Sequence, residues 1–239
     1  VEDLHDLSDV LRRVSKTHSA SPPRGYIPRV LEEIAREWGY NSPVSLVKKT
    51  FARPRNASIV VATLNGGEPL MKALNGMLAQ HFKGKWEVIV VDDGSFDGIT
   101  PHLLRTHFEK NPKVKLIFLP RSGVCKARNA GIRAAQYEVV INMDHDCIPE
   151  VDWLQTMVNG FDSPSVGAVS AYGHYGGTST GFRKDLLDHL GGYDEDFFYY
   201  REDTDLSLRI MELGFEYKKV SGARYHEDRT LVTPKGLGN

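Results

Sequence analysis

The sequence predicts an α/β domain on a mostly parallel sheet flanked by helices, and three observations carry that prediction. From Ser58 onward, short runs rich in Val and Ile alternate with amphipathic stretches. The runs are apolar at consecutive positions, as strands are when both faces are covered. The 239 residues are 41% hydrophobic and 26% charged, which is globular composition with material for a sizeable core.

Residues 1–56 read differently, as a helical N-terminal extension. Leu4, Leu7, Val10, Leu11 and Val14 recur at helical spacing. A second helix is expected from Pro28, with Val30, Leu31, Ile34 and Trp38 as its apolar face. Ser-Ala-Ser-Pro-Pro-Arg-Gly (19–25) separates the two as a loop. Residues 57–239 then form the α/β domain. Strands are expected at 58–64, 87–91, 114–119, 138–142 and 166–171, with helices near 68–81, 99–110, 124–135 and 150–160. Alternation of this kind implies right-handed crossovers. It also directs attention to the carboxyl ends of the strands, where such sheets bind ligands.

Polar, turn-forming residues stand at three of those ends. Ala62-Thr63-Leu64-Asn65-Gly66-Gly67 follows the first strand, Asp92-Asp93-Gly94-Ser95-Phe96-Asp97-Gly98 the second, and Asp144-His145-Asp146 the fourth. Turn and capping chemistry accounts for any one of them. All three at one sheet edge point to a site. Asp144 and Asp146 leave a strand at i and i+2, so a turn can converge two hard oxygen ligands. That suits Mg²⁺ or Mn²⁺ shared with a diphosphate. A second acidic cluster, Arg201-Glu202-Asp203-Thr204-Asp205, opens a helix continuing through Leu206, Leu208, Ile210, Met211 and Leu213. Asp205 fits as a partner of the helix dipole. A carboxylate held at such a helix start can serve as a general base.

Composition excludes several classes. Thirty Lys and Arg balance thirty-one Asp and Glu, for a formal charge of -1, so bulk charge does not hold this chain on nucleic acid. No apolar run approaches the roughly 18 residues of a membrane span. Cys125 and Cys147 are too few for a disulfide scaffold and read as buried thiols of a reducing compartment. The sequon Asn56-Ala57-Ser58 reads as chance. No signal peptide is visible, and the chain starts at Val1 and stops after a Pro/Gly stretch, so a piece of a longer protein is expected.

Five segments in order resemble family-2 glycosyltransferases of the GT-A fold, across about Ser58 to Asp228. They are Val90-Val91-Asp92-Asp93-Gly94-Ser95-Phe96-Asp97-Gly98, Ala127-Arg128-Asn129-Ala130-Gly131-Ile132, Asp144-His145-Asp146, Gly191-Gly192-Tyr193-Asp194-Glu195-Asp196-Phe197, and Glu202-Asp203-Thr204-Asp205-Leu206-Ser207-Leu208-Arg209. The resemblance implies inverting, metal-dependent transfer of a sugar from a nucleotide diphosphate, most commonly a UDP-sugar, to a polysaccharide, lipid-linked or protein acceptor. It assigns the nucleobase to Asp93, with Asp92 and Thr63 nearby, and lays Arg128 along the nucleotide. It places the metal on Asp146, completed by His226, with Asp144 toward the ribose or the metal's water shell. It makes Asp203 the general base. It implies a cytoplasmic site of action, with peripheral association at the inner membrane face. Two departures stand out: Arg201 where many relatives have Gly, and Leu64 where an aromatic residue is common.

Two other readings compete. Gly177-Thr178-Ser179-Thr180-Gly181 matches a serine-hydrolase nucleophile elbow, with His226 downstream, although no clear oxyanion loop precedes it. A domain of the same fold that binds nucleotide without turnover is the other. No G-x-G-x-x-G follows the first strand, and there is no P-loop.

Overall fold

Four parallel strands form the first half of the sheet: β1 (Ala57–Thr63), β2 (Trp86–Asp92), β3 (Val114–Phe118) and β4 (Val139–Asn142). Each matches its sequence-marked run to within one residue at either end. The computed structural model describes residues 52–173, 177–197 and 201–228. The helical extension expected over 1–56 therefore lies almost wholly outside the described residues.

Successive residues of these strands point to opposite faces, and both faces are apolar. Ile59, Val61, Val88, Val90, Val139 and Ile141 pack on one side. Val60, Ile89, Val91 and Val140 pack on the other. Three helices cover the first face: α1 (Gly67–Leu78), α2 (Thr100–Phe108) and, after the short β5 (Cys147–Pro149), α4 (Trp153–Asn159). In α1 the buried Leu70, Ala73, Leu74 and Met77 follow the i, i+3, i+4, i+7 stripe of an amphipathic helix. The second face is covered by α3 (Val124–Ala134), α5 (Lys184–Leu190) and α6 (Glu202–Glu212).

The remaining strands are β6 (Val166–Ser170), β7 (Thr180–Arg183), β8 (Glu216–Lys219) and β9 (Tyr225–Glu227). The sheet order is β3-β2-β1-β4-β7-β6-β8, and β5 pairs with β9 in a separate two-stranded sheet. The sheet is mostly parallel, as expected, but β7 lies antiparallel to both β4 and β6. Its sequence, Thr-Gly-Phe-Arg, carries too little apolar periodicity to mark it as a strand. It is nonetheless fully buried, with Arg183 donating to the carbonyls of Val166 and Ser163. The chain winds outward through β1, β2 and β3 and then returns to the other side of β1. The order therefore reverses between β1 and β4, and the crevice at their carboxyl ends is where such sheets bind ligands.

Helix α3 lies directly against β1 because Gly131 has no side chain. A Cβ there would sit 2.3 Å from Val60 Cγ1. Gly131→Ala should therefore destabilise by about 1–3 kcal/mol through overpacking, despite alanine's advantage of about 1 kcal/mol in helix propensity. Urea unfolding measures this, and a neutral or stabilised variant would contradict the packing.

Candidate active site

The crevice between the ends of β1 and β4 is an open cleft of about 1400 Å³. Small-molecule pockets usually measure roughly 300–1,000 Å³, so this cleft is larger than one such ligand requires. Thr63 ends β1 and lines the cleft, with its Oγ1 3.3 Å from His145 Nδ1. Asp93 follows β2 and also lines it. Its Oδ1 accepts from Ser122 N and Oγ at 2.8 Å each, and its Oδ2 accepts from Gly123 N at 2.9 Å. Asp93 thus folds the loop before α3 onto the cleft wall.

Its neighbour Asp92 is placed differently. It is buried, its Oδ1 accepts from Ser95 N and Oγ, and it is not among the cleft-lining residues. The two acids hold different partners, Ser95 for Asp92 and Ser122 with Gly123 for Asp93, so adjacency in sequence does not give them one role.

The fourth strand delivers Asp144 and Asp146 to the cleft. Thr178 fixes the turn between them: its Oγ1 accepts from Asp144 N at 3.0 Å and donates to Cys147 Sγ at 3.5 Å. Carboxylate oxygens of Asp144 and Asp146 and the Cys147 sulfur all lie within 4.8 Å of one another. Loss of hydration raises the Asp144 pKa above the usual carboxylate range, with Arg128 opposing and Asp146 adding to the rise. Burial pushes the Cys147 thiol up to about 12, and both cysteines are buried and free.

The structure does not bring His226 to this group. It sits exposed on β9, while its strand neighbours Tyr225 and Glu227 line the cleft. Alternate strand residues face opposite ways, so β9 turns its histidine outward.

Helix α6 supplies the opposite wall. Glu202 and Asp203 line the cleft. Asp205 lies in the first turn of α6, as expected, and pairs with Arg209 one turn along at 2.8 Å, a contact the sequence reading did not foresee. Arg128 of α3 reaches between the walls. Its Nη1 donates to Glu202 Oε1 at 2.7 Å, and its Nη2 lies 3.5 Å from Asp144 Oδ1. A Cβ on Gly177 would be 3.4 Å from both Arg128 Nη2 and Asp203 Oδ2, which puts those atoms within about 7 Å of each other. Sequence reading missed this guanidinium bridge. Its partners stand 74 and 16 positions away, and no local periodicity connects them.

Arg201 precedes the acidic pair with φ 76°, a left-handed conformation that costs a non-glycine residue roughly 1–2 kcal/mol. Glycine meets that backbone requirement without strain. This gives a physical reason for the glycine that the family resemblance leads one to expect there.

Ser179 is fully buried, and its Oγ accepts from Trp153 Nε1 at 2.7 Å. A nucleophile elbow exposes its hydroxyl, so the hydrolase reading fails on this geometry.

The sheet order, with the cleft at its reversal, is that of the GT-A fold. The chain belongs to glycosyl transferase family 2, whose profile matches residues 58–212. It is 31% identical over 114 residues to the glycosyltransferase AglE of Haloferax volcanii, covering 47% of this chain and 37% of that protein. It is 33% identical over 101 residues to an N-acetylglucosaminyltransferase of Bradyrhizobium elkanii, covering 42% and 56%. The matches thus span little more than half, or less, of those relatives. Among solved structures it resembles the mannosyltransferase PcManGT of Pyrobaculum calidifontis in complex with GDP-Man and Mn²⁺. The TM-score is 0.63 at 25% identity, covering 82% of this chain and 66% of that one. Among the described residues no helix is long and apolar enough to cross a membrane.

The Arg128–Glu202 pair is buried on both sides, with side chains 9% and 10% exposed. Arg128→Met strands a buried carboxylate and should lower stability by about 3–5 kcal/mol. Adding Glu202→Leu should recover much of that loss. Guanidinium unfolding curves decide it, and a double variant no more stable than the single one would contradict the pairing.

Proposed function

We propose that this chain transfers a hexosyl group from a nucleotide-diphosphate sugar to an acceptor hydroxyl, with inversion at the anomeric carbon. UDP-sugars are the first candidates. GDP-sugars stand beside them, because the mannosyltransferase relative was solved with GDP-Man. The acceptor is a polysaccharide, a lipid-linked glycan or a protein. The observation that carries the reading is that Asp203 and the Asp144–Asp146 pair border one cleft, where Arg128 bridges Asp144 to Glu202, the residue before Asp203.

The donor set fits a divalent cation. Two hard carboxylates converge at the strand end. Among the described residues, six carboxylates line the cleft (Asp93, Asp144, Asp146, Glu202, Asp203, Glu227) against four cations (Arg121, Lys126, Arg128, Arg201). The wall is short of two positive charges. Asp146 and Asp144 would hold Mn²⁺ or Mg²⁺ there, and that ion offsets the charge developing on a departing diphosphate.

Asp203 then has a defined task. Its Oδ1 is held by Thr204 N at 2.7 Å, which leaves Oδ2 turned toward Gly177. Through Arg128 Nη2, Oδ2 lies within about 10 Å of Asp144 Oδ1, a gap that a hexosyl phosphate can fill. Asp203 takes the proton of the acceptor hydroxyl as its oxygen attacks from the side opposite the leaving diphosphate. Thr63 and Asp93, which also line the cleft, would hold the nucleoside.

Asp203→Asn should keep nucleotide binding and lose about 10²–10⁴-fold in transfer, the usual contribution of a carboxylate base. Calorimetry with UDP or GDP, alongside turnover of a donor panel, separates the two effects. Parent-like turnover would remove Asp203 from the role. EDTA should abolish transfer, and Mn²⁺ or Mg²⁺ should restore it. Full activity in chelator would remove the ion.

A further inference from the structure

Glu202 is 8% exposed. Its Oε1 accepts from Arg128 Nη1 at 2.7 Å, while its buried Oε2 has no hydrogen-bond partner among the described residues. A carboxylate oxygen out of reach of water and left unpaired is costly. A guanidinium facing a carboxylate commonly closes a fork of two parallel bonds. Here that fork is open. The second donor, Nη2, is drawn toward Asp144 Oδ1 at 3.5 Å, the outer limit of a hydrogen bond. One guanidinium is divided between two carboxylates and completes a good bidentate pair with neither. Asp144 is also one of the two carboxylates assigned above to the cation.

We propose that Arg128 and Glu202 are positioning residues that couple cation binding at Asp144 and Asp146 to the placement of Asp203. The inference rests on the cation reading above. In the ion-free cleft, Arg128 serves as counter-charge to Asp144. When Asp144 engages a divalent ion, Nη2 is released, swings to Glu202 Oε2 and closes the fork. No covalent bond changes and no proton moves. The closed fork ties α3 to the first turn of α6 by two charge-assisted bonds. Asp203 follows Glu202 in that turn, and its Oδ2 faces the same guanidinium across Gly177. Thermodynamic reciprocity then requires that whatever prevents the fork from closing weakens ion binding.

Glu202→Asp tests this, because it preserves charge while withdrawing the carboxylate by one methylene. Mn²⁺ affinity, read from the electron paramagnetic resonance signal of the free ion, should fall about tenfold, the size of one lost charge-assisted bond. Simple charge attraction predicts no change. Crystal structures of the parent with and without Mn²⁺ provide a readout that needs no variant. With Mn²⁺, both Nη1–Oε1 and Nη2–Oε2 should stand at about 2.8 Å, with Nη2 gone from Asp144. The proposal is overturned if Mn²⁺ binds while the variant's affinity stays within about twofold of the parent. It is equally overturned if the Mn²⁺ structure keeps the divided guanidinium. A parent that binds no Mn²⁺ in either experiment overturns the cation reading itself, and this inference with it.

Discussion

A buried guanidinium spans the cleft of this protein. Arg128 leaves α3, meets Glu202 at the start of α6, and reaches toward Asp144 at the end of β4. Burying such charges is expensive, and their mutual attraction compensates only when the geometry is good. The arrangement therefore constrains three elements at once: each must stand where its charge meets its partner. Among the described residues more negative than positive charge lines the crevice, and the proposed chemistry draws on that excess.

The strand order explains why these groups meet at all. Reversal between β1 and β4 leaves a crevice that no crossover helix fills. Thr63 and the Asp144 turn stand on its two lips. The return path through β6 and β7 then carries Gly177 and Thr178 under the turn, where Thr178 holds Asp144 N and Cys147 Sγ. A side chain at Gly177 would press on both Arg128 and Asp203. The small residues that resemble a nucleophile elbow in sequence instead floor the cleft, and Ser179 below them is bonded to Trp153.

Legibility from sequence tracked burial on two faces. The strands β1, β2, β4 and β6 are largely apolar and buried on both faces, so their runs stood out and their ends could be searched; β3, half-exposed and interrupted by Lys115, was marked by its Val, Leu, Ile and Phe instead. That search found Thr63, Asp93, Asp144 and Asp146, the acidic start of a helix added Asp203, and all five line one cleft. The short or polar strands β5, β7, β8 and β9 carry no such signal. Without β9 there was no way to see that Tyr225 and Glu227, rather than His226, face inward. Asp92 and Asp93 are equivalent in sequence and are told apart only by their partners, since Asp92 ends β2 bonded to Ser95 while Asp93 follows it into the loop and lines the cleft. Arg128 was visible as part of a motif, but its partners were not, because ion pairs between distant helices leave no periodic trace.

What the account asserts about chemistry is a single displacement in which an oxygen attacks opposite a departing diphosphate. Slow hydrolysis of the donor without acceptor, with water in the acceptor's place, exposes that step. Proton NMR at early times, before the free sugar mutarotates, reads the anomer first released. From an α-linked UDP- or GDP-sugar the account predicts the β-anomer first, and initial release of the α-anomer would contradict it.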